Sequence, residues 1–218
     1  MNGCHAASDS RFEVAGTARD RVTIDLRGIG DAVRAAAVAG RALDLGVLGA
    51  LAHSSIDVDA WLTAGVNVGV LEFTDEQWRF SHDQLRDLLI TAIDADERRA
   101  LHQRIADAIA QVHPDDARYA EVSFEHLLSA GDSARAIPHA QRAARAALVM
   151  GRYDAVRRIG EAALNLLPSS DVQTALLLTI AEAALYQSDY RETERITRTL
   201  AETLASDDAG RPSALLLL

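Results

Sequence analysis

From about residue 81 almost to its end, this chain repeats one pattern: an apolar residue every three or four positions, interrupted at short intervals by Gly or Pro. Ile137, Ala140, Ala144, Ala147 and Leu148 make one such stripe, running to Gly151, and Val156, Ile159, Ala163, Leu164 and Leu167 make the next, up to Pro168. Leu176, Ile180, Ala183 and Ala184 carry it further. A period near 3.6 puts these residues on one face of a helix, and that face must be covered by another element. Turns of only a few residues leave the preceding and following helices as the natural cover, so the pattern confines the chain to antiparallel helix pairs. The apolar residues are mostly Ala and Leu and only 5% of the chain is aromatic, which suits close helix packing better than a sandwich or barrel. With 218 residues and a hydrophobic content of 49%, a sizeable core is within reach. The expected fold class is all-α.

Punctuation residues place the helices. Ser81 can cap a helix over 82–93 and Asp94 one over 95–112; Pro114 breaks the chain before a helix over 118–130, and Gly131 marks the next turn. One internal repeat is visible. Ala147-Leu148, a tight turn at Gly151-Arg152 and then Tyr153 recur as Ala184-Leu185, a turn at Ser188-Asp189 and then Tyr190, an offset of 37 residues. That is near the period of tetratricopeptide helix pairs, in which small residues let the helices approach and an aromatic fills the gap at the turn. Residues 207–218 end on four consecutive leucines and read as the truncated start of a further helix with no polar cap.

The N-terminal part reads differently. Residues 1–20 mix Ser, Gly, Asp and Arg without a period and are expected to be a disordered lead-in. Val22, Ile24 and Leu26 then alternate with polar residues, and a helix-like run over 29–39 ends at Gly40. Asp44 suits an N-cap for 45–52 and Asp57 one for 58–68. Leu71-Glu72-Phe73 and Trp78-Arg79-Phe80 flank a polar loop and read as a small β-hairpin. Three short helices and a hairpin are the outline of a winged helix over 21–80, with a helical array over 81–206 behind it. Winged helices usually bind DNA. Here the candidate recognition helix, 58–68, contains no Arg and carries Asp59, which weighs against major-groove readout.

Charge narrows the function classes. The net charge is −10, and all 22 basic residues are Arg, with no Lys anywhere. Scattered Arg on an acidic chain does not make the basic face that neutralises nucleic-acid phosphates. Without Lys there is no Gly-x-x-x-x-Gly-Lys-Ser/Thr phosphate loop and no Schiff-base chemistry. The single Cys4 cannot form an internal disulfide, and no CxxC pair indicates a zinc ribbon. The start lacks the pattern of a signal peptide and residues 215–218 are too short to span a bilayer, so a cytoplasmic location without membrane partners is expected.

Seven His residues invite a metal reading, but there is no His-Glu-x-x-His and no Glu three residues before any His. His82-Asp83 is the one His-Asp pair. Cys4 falls in the lead-in and no Gly-x-Ser-x-Gly is present. Glu121 and Glu125, one turn apart, have the spacing for shared acid-base work, although such pairs are more often a solvated helix face. His102, His126 and His139 lie on amphipathic helices as ordinary half-buried imidazoles. No catalytic residue, no metal site and no enzymatic activity are expected of this chain.

The stretch from Trp78-Arg79-Phe80-Ser81-His82-Asp83 through Ile93, followed by Glu97-Arg98-Arg99-Ala100-Leu101-His102 to Ile109, resembles a recurring part of the signal-transducing multidomain (STAND) ATPases. These include the LuxR-type and MalT-like bacterial regulators. Ala35 to Arg41 is similar to that family's first winged-helix segment, and Glu125 to Asp132 and Ala143 to Tyr153 are similar to the start of its tetratricopeptide-like array. The resemblance covers roughly residues 21 to 206. In the family a P-loop module precedes this region, and LuxR-type members end in a DNA-binding helix-turn-helix. Neither has a counterpart in this sequence, so the resemblance implies either a fragment of a longer protein or a remnant without its ATPase.

What the resemblance implies is a regulatory and protein-interaction segment. The array would receive a protein partner or small-molecule inducer and bias a nucleotide switch in an adjoining module, which would hold ATP or ADP; this chain itself would carry no cofactor. His82 corresponds to a histidine that contacts the β-phosphate of bound ADP in the closed state. Its place after Phe80, where a helix begins, suits an anion. The alternative is that Ser81 caps that helix and His82 is merely exposed. An independent helical-repeat scaffold is the other functional reading, and a winged-helix DNA binder the third.

Overall fold

The computed structural model describes residues 11–14, 22–25, 30–51 and 57–203. The fold is mostly helical with small β elements. It divides into two compact units, Met1–Val112 and His113–Leu218.

In the first unit, β1 (Arg11–Val14) and β2 (Val22–Asp25) pair antiparallel, with Phe12 opposite Ile24. The alternation at Val22 and Ile24 is therefore a strand. Its partner lies inside the stretch expected to be disordered, because a four-residue strand carries too little pattern to stand out. The rest of residues 1–20, and residues 207–218, lie outside the described residues.

Then follow α1 (Gly30–Ala39), β3 (Ala42–Leu43), α2 (Leu45–Leu51), α3 (Val58–Asn67), β4 (Leu71–Thr74) and β5 (Gln77–Phe80). Asp44 caps α2 by accepting from Val47 N at 3.0 Å, and Asp57 caps α3 by accepting from Asp59 N and Ala60 N. Caps of this kind stabilise by about 1 kcal/mol. The hairpin turns at Asp75 and Glu76, both with positive φ, as a tight two-residue connection requires. The sheet has three strands rather than the expected two, in the order β3-β5-β4, because the two-residue β3 adds to the hairpin edge.

The unit does not stop at Phe80. Helices α4 (Asp83–Thr91) and α5 (Ala95–Val112) belong to it, with α1 packed on both and α2 on α5. Arg86 Nε on α4 donates to the carbonyl of Ala37 near the end of α1 (2.9 Å), and Arg104 Nη2 on α5 donates to the carbonyl of Leu51, the last residue of α2 (3.1 Å). Both carbonyls sit at helix C-termini, where intrahelical partners run out and a cation is favoured. Arg34 of α1 also pairs with Glu97 of α5 at 3.3 Å. The break between the units accordingly falls near the His113-Pro114 turn, not at 80/81.

The second unit opens with a 3-10 turn (Ala117–Tyr119) and continues through α6 (Ala120–Ala130), α7 (Ser133–Val149), α8 (Tyr153–Leu164), α9 (Ser170–Tyr186) and α10 (Tyr190–Thr203). Each helix packs on the next, and α7 also meets α9. The buried face of α7 is almost entirely Ala, including Ala136, Ala140, Ala144 and Ala147, and Phe124, Leu127, Val156 and Ile159 fill the space around it. Small residues bring backbones close, while each fully buried large apolar side chain contributes roughly 1.5–3 kcal/mol.

Three of the turns share one construction. Gly131, Gly151 and Ser188 are left-handed, at φ +80, +70 and +62°, and each following N–H reaches back to the carbonyl five residues earlier, at Leu127, Ala147 and Ala184. This satisfies the last carbonyls of α6, α7 and α9. The sequence repeat thus has a third member at Gly131; of its two tyrosines, Tyr153 packs against Ala147, Val156 and Ala183 as the expected aromatic filler, whereas Tyr190 is 66% exposed.

Candidate functional site

His82 lies at the N-terminus of α4. Ser81 does not cap that helix. Its hydroxyl donates to the carbonyls of Gly69 (2.6 Å) and Val70 (3.2 Å), closing the base of the hairpin instead. His82 is the N-cap, with extended backbone and no side-chain cap bond, and its carbonyl accepts from Leu85 N at 3.1 Å. The imidazole is exposed. Asp83 beside it pairs with Arg41 (3.1 Å), so an exposed His and a guanidinium stand at an open helix N-terminus. Such a place can receive an anion, although Asp83 already supplies negative charge there.

Glu121 and Glu125 are brought together, but with arginines rather than with a substrate cleft. Arg152 Nη2 binds Glu121 Oε2 at 2.9 Å, Arg158 Nη2 binds the other oxygen of Glu121, and Arg158 Nη1 binds Glu125 Oε1 at 3.0 Å. Two guanidiniums from the α7-α8 turn and α8 hold both carboxylates of α6. The arrangement is a clamp between helices, each exposed pair worth roughly 0.2–1 kcal/mol.

Of the remaining histidines, His126 is 5% exposed, more buried than its expected half-buried state, whereas His102 and His139 are half-buried. Burial, and then Arg98, push the His102 imidazole below its ordinary value. Burial, then Arg142 and Arg135, do the same to His139, with Asp115 opposing. Arg142 Nη2 donates to His139 Nδ1 at 3.1 Å, which requires that nitrogen unprotonated. Among the described residues no group of three His, Cys, Asp or Glu side chains is placed to hold a metal ion. None of the helices among them is long and apolar enough to cross a membrane.

The most distinctive surface was not legible as a site in the sequence. The α7-α8 turn and the last two turns of α9 enclose an open depression of about 480 Å³, lined by Leu148, Val149, Met150, Gly151, Tyr153, Glu182 and Tyr186. Val149 is 88%, Met150 64% and Tyr186 60% exposed. Tyr153 and Tyr186 stack, with ring centroids 5.6 Å apart and planes 18° from parallel. Asp154 accepts from Gln187 Nε2 at 3.0 Å, tying the start of α8 to the end of α9. The one sequence signal was Val149-Met150 directly before a turn glycine, where polar residues are the rule.

No family model, curated protein or solved structure matches the chain.

Proposed function

We propose that this chain is a regulatory, protein-interaction segment whose helical array, α6 to α10, receives a partner or inducer, and that it works beside the nucleotide-binding module of a signal-transducing ATPase or LuxR-type regulator. The observation that carries the first half is the exposed apolar and aromatic cluster at the α7-α8 turn, set on helices stacked so that α7 meets α8 and α9. Contiguous exposed apolar surface of this kind marks interaction sites, and stacked helix pairs offer extended surfaces for them. The coupling to ATP or ADP rests on the family resemblance, with His82 at the open N-terminus of α4 as the residue that would sense the diphosphate.

An independent scaffold would use the same array without the nucleotide. A DNA-binding role is less well supported, because Asp59 is exposed on α3 and Arg79 of the hairpin is already engaged by Glu72 (2.7 Å) and Asp75 (3.8 Å). The gene's reading frame tests the ATPase half directly. An open frame upstream of Met1 that encodes a Gly-x-x-x-x-Gly-Lys-Ser/Thr loop is the expected result. A frame that reaches a stop codon without one contradicts it.

A further inference from the structure

The depression at the α7-α8 turn combines three kinds of surface. Tyr153 and Tyr186 present stacked rings, Val149 and Met150 present apolar side chains to solvent, and Glu182 contributes a carboxylate one turn before Tyr186. Among the described residues the Glu182 carboxylate has no ion pair and no hydrogen bond, whereas most Glu and Asp side chains nearby are engaged: Glu121 and Glu125 by arginines, Asp189 by Arg157, Asp154 by Gln187. The cations that could reach it do not line the depression. Arg152 is held by Glu121, and Arg145 lies one turn back on α7.

An aromatic face beside an unpaired carboxylate is complementary to a cation with a flat, polarisable head. A guanidinium stacks on a tyrosine ring and offers paired donors to a carboxylate, and its weak hydration makes the transfer from water cheap. The exposed Val149 and Met150 then suit an apolar residue next to that cation, Met adapting its shape to the partner.

We propose that this depression binds an arginine side chain of a partner protein, the guanidinium against Glu182 and Tyr186 and a neighbouring apolar side chain on Val149 and Met150. The proposal rests on the reading of the array as a protein-binding surface and names the chemistry of the partner.

The test is a titration of the full-length chain, followed by amide and methyl NMR, with a blocked peptide in which two arginines alternate with leucines. A second peptide carries citrulline, the neutral isostere, at both positions, and a third carries lysine. Saturable shifts centred on Met150, Tyr153, Glu182 and Tyr186 are expected, with binding weakened about threefold or more by citrulline, by Glu182→Gln and by Tyr186→Leu, effects typical of exposed charge and ring contacts. Lysine should bind more weakly than arginine. Equal binding of the citrulline peptide overturns the proposal, and so does self-association of the chain through this surface. Shifts confined to other parts of α6 to α10 overturn it too, while leaving the array reading intact. The two point variants change exposed or half-exposed side chains, and unchanged spectra elsewhere establish that they fold.

Discussion

Gly160 on α8 lies directly against Ile180 on α9. A Cβ there would stand 2.7 Å from Ile180 Cδ1 and 2.8 Å from its Cγ1. Alanine trades that crowding against a better helix propensity, but a larger side chain cannot. Gly160→Leu should lower stability by roughly 1–3 kcal/mol, the usual cost of overfilling a core. Combining it with Ile180→Ala should cost less than the sum of the two single changes, because the deletion makes room for the insertion. Urea midpoints of the four proteins check this; strict additivity would mean that the two positions do not touch. Nothing in the sequence identified Gly160 as a packing residue, since a lone glycine inside a helical stripe shows neither its neighbour nor its distance.

At the scale of elements, the repeated turn is the most informative feature. Gly151 and Ser188 occupy equivalent left-handed positions, yet only one of them is glycine. A side chain in that conformation costs about 1 kcal/mol or somewhat more, partly offset by the greater freedom glycine has when unfolded. Ser188→Gly should therefore raise stability by up to about 1 kcal/mol, and Gly151→Ala should lower it by about 1 kcal/mol, both read from thermal or urea unfolding. Two effects of the same sign would contradict the equivalence of the turns. Helix positions were legible because Asp44, Asp57, Asp94 and Gly131 are local signals whose consequences are also local. The extent of the first unit was not. It follows from α4 and α5 packing on α1 and α2, with Arg86 and Arg104 reaching carbonyls 49 and 53 residues away in sequence, and such long-range contacts leave no periodic trace. The strand β3 and the depression at the α7-α8 turn were hidden for the same reason: each exists only once distant segments meet.

For the whole molecule, the titration of His102 and His139 sets a direction for pH dependence. Both imidazoles are held below the ordinary value of 6.5 in the folded chain. In the window between the folded and unfolded values the unfolded chain binds more protons, so stability rises with pH there. It should be complete above about 6.5 and decline as pH falls through that value toward the folded ones. Arg142→Gln should raise the His139 midpoint in an NMR titration and narrow that window; an unchanged midpoint would show that burial alone sets it. The proposed function joins the exposed cluster on the array to a nucleotide contact at His82, which the family resemblance implies. The most direct measurement is the ADP affinity of the protein translated from the gene's complete reading frame, compared with the same protein carrying His82→Ala. Loss of a charge-assisted contact to a phosphate should weaken ADP by about tenfold or more. Equal affinity and equal ADP release rates in the two proteins would contradict the account.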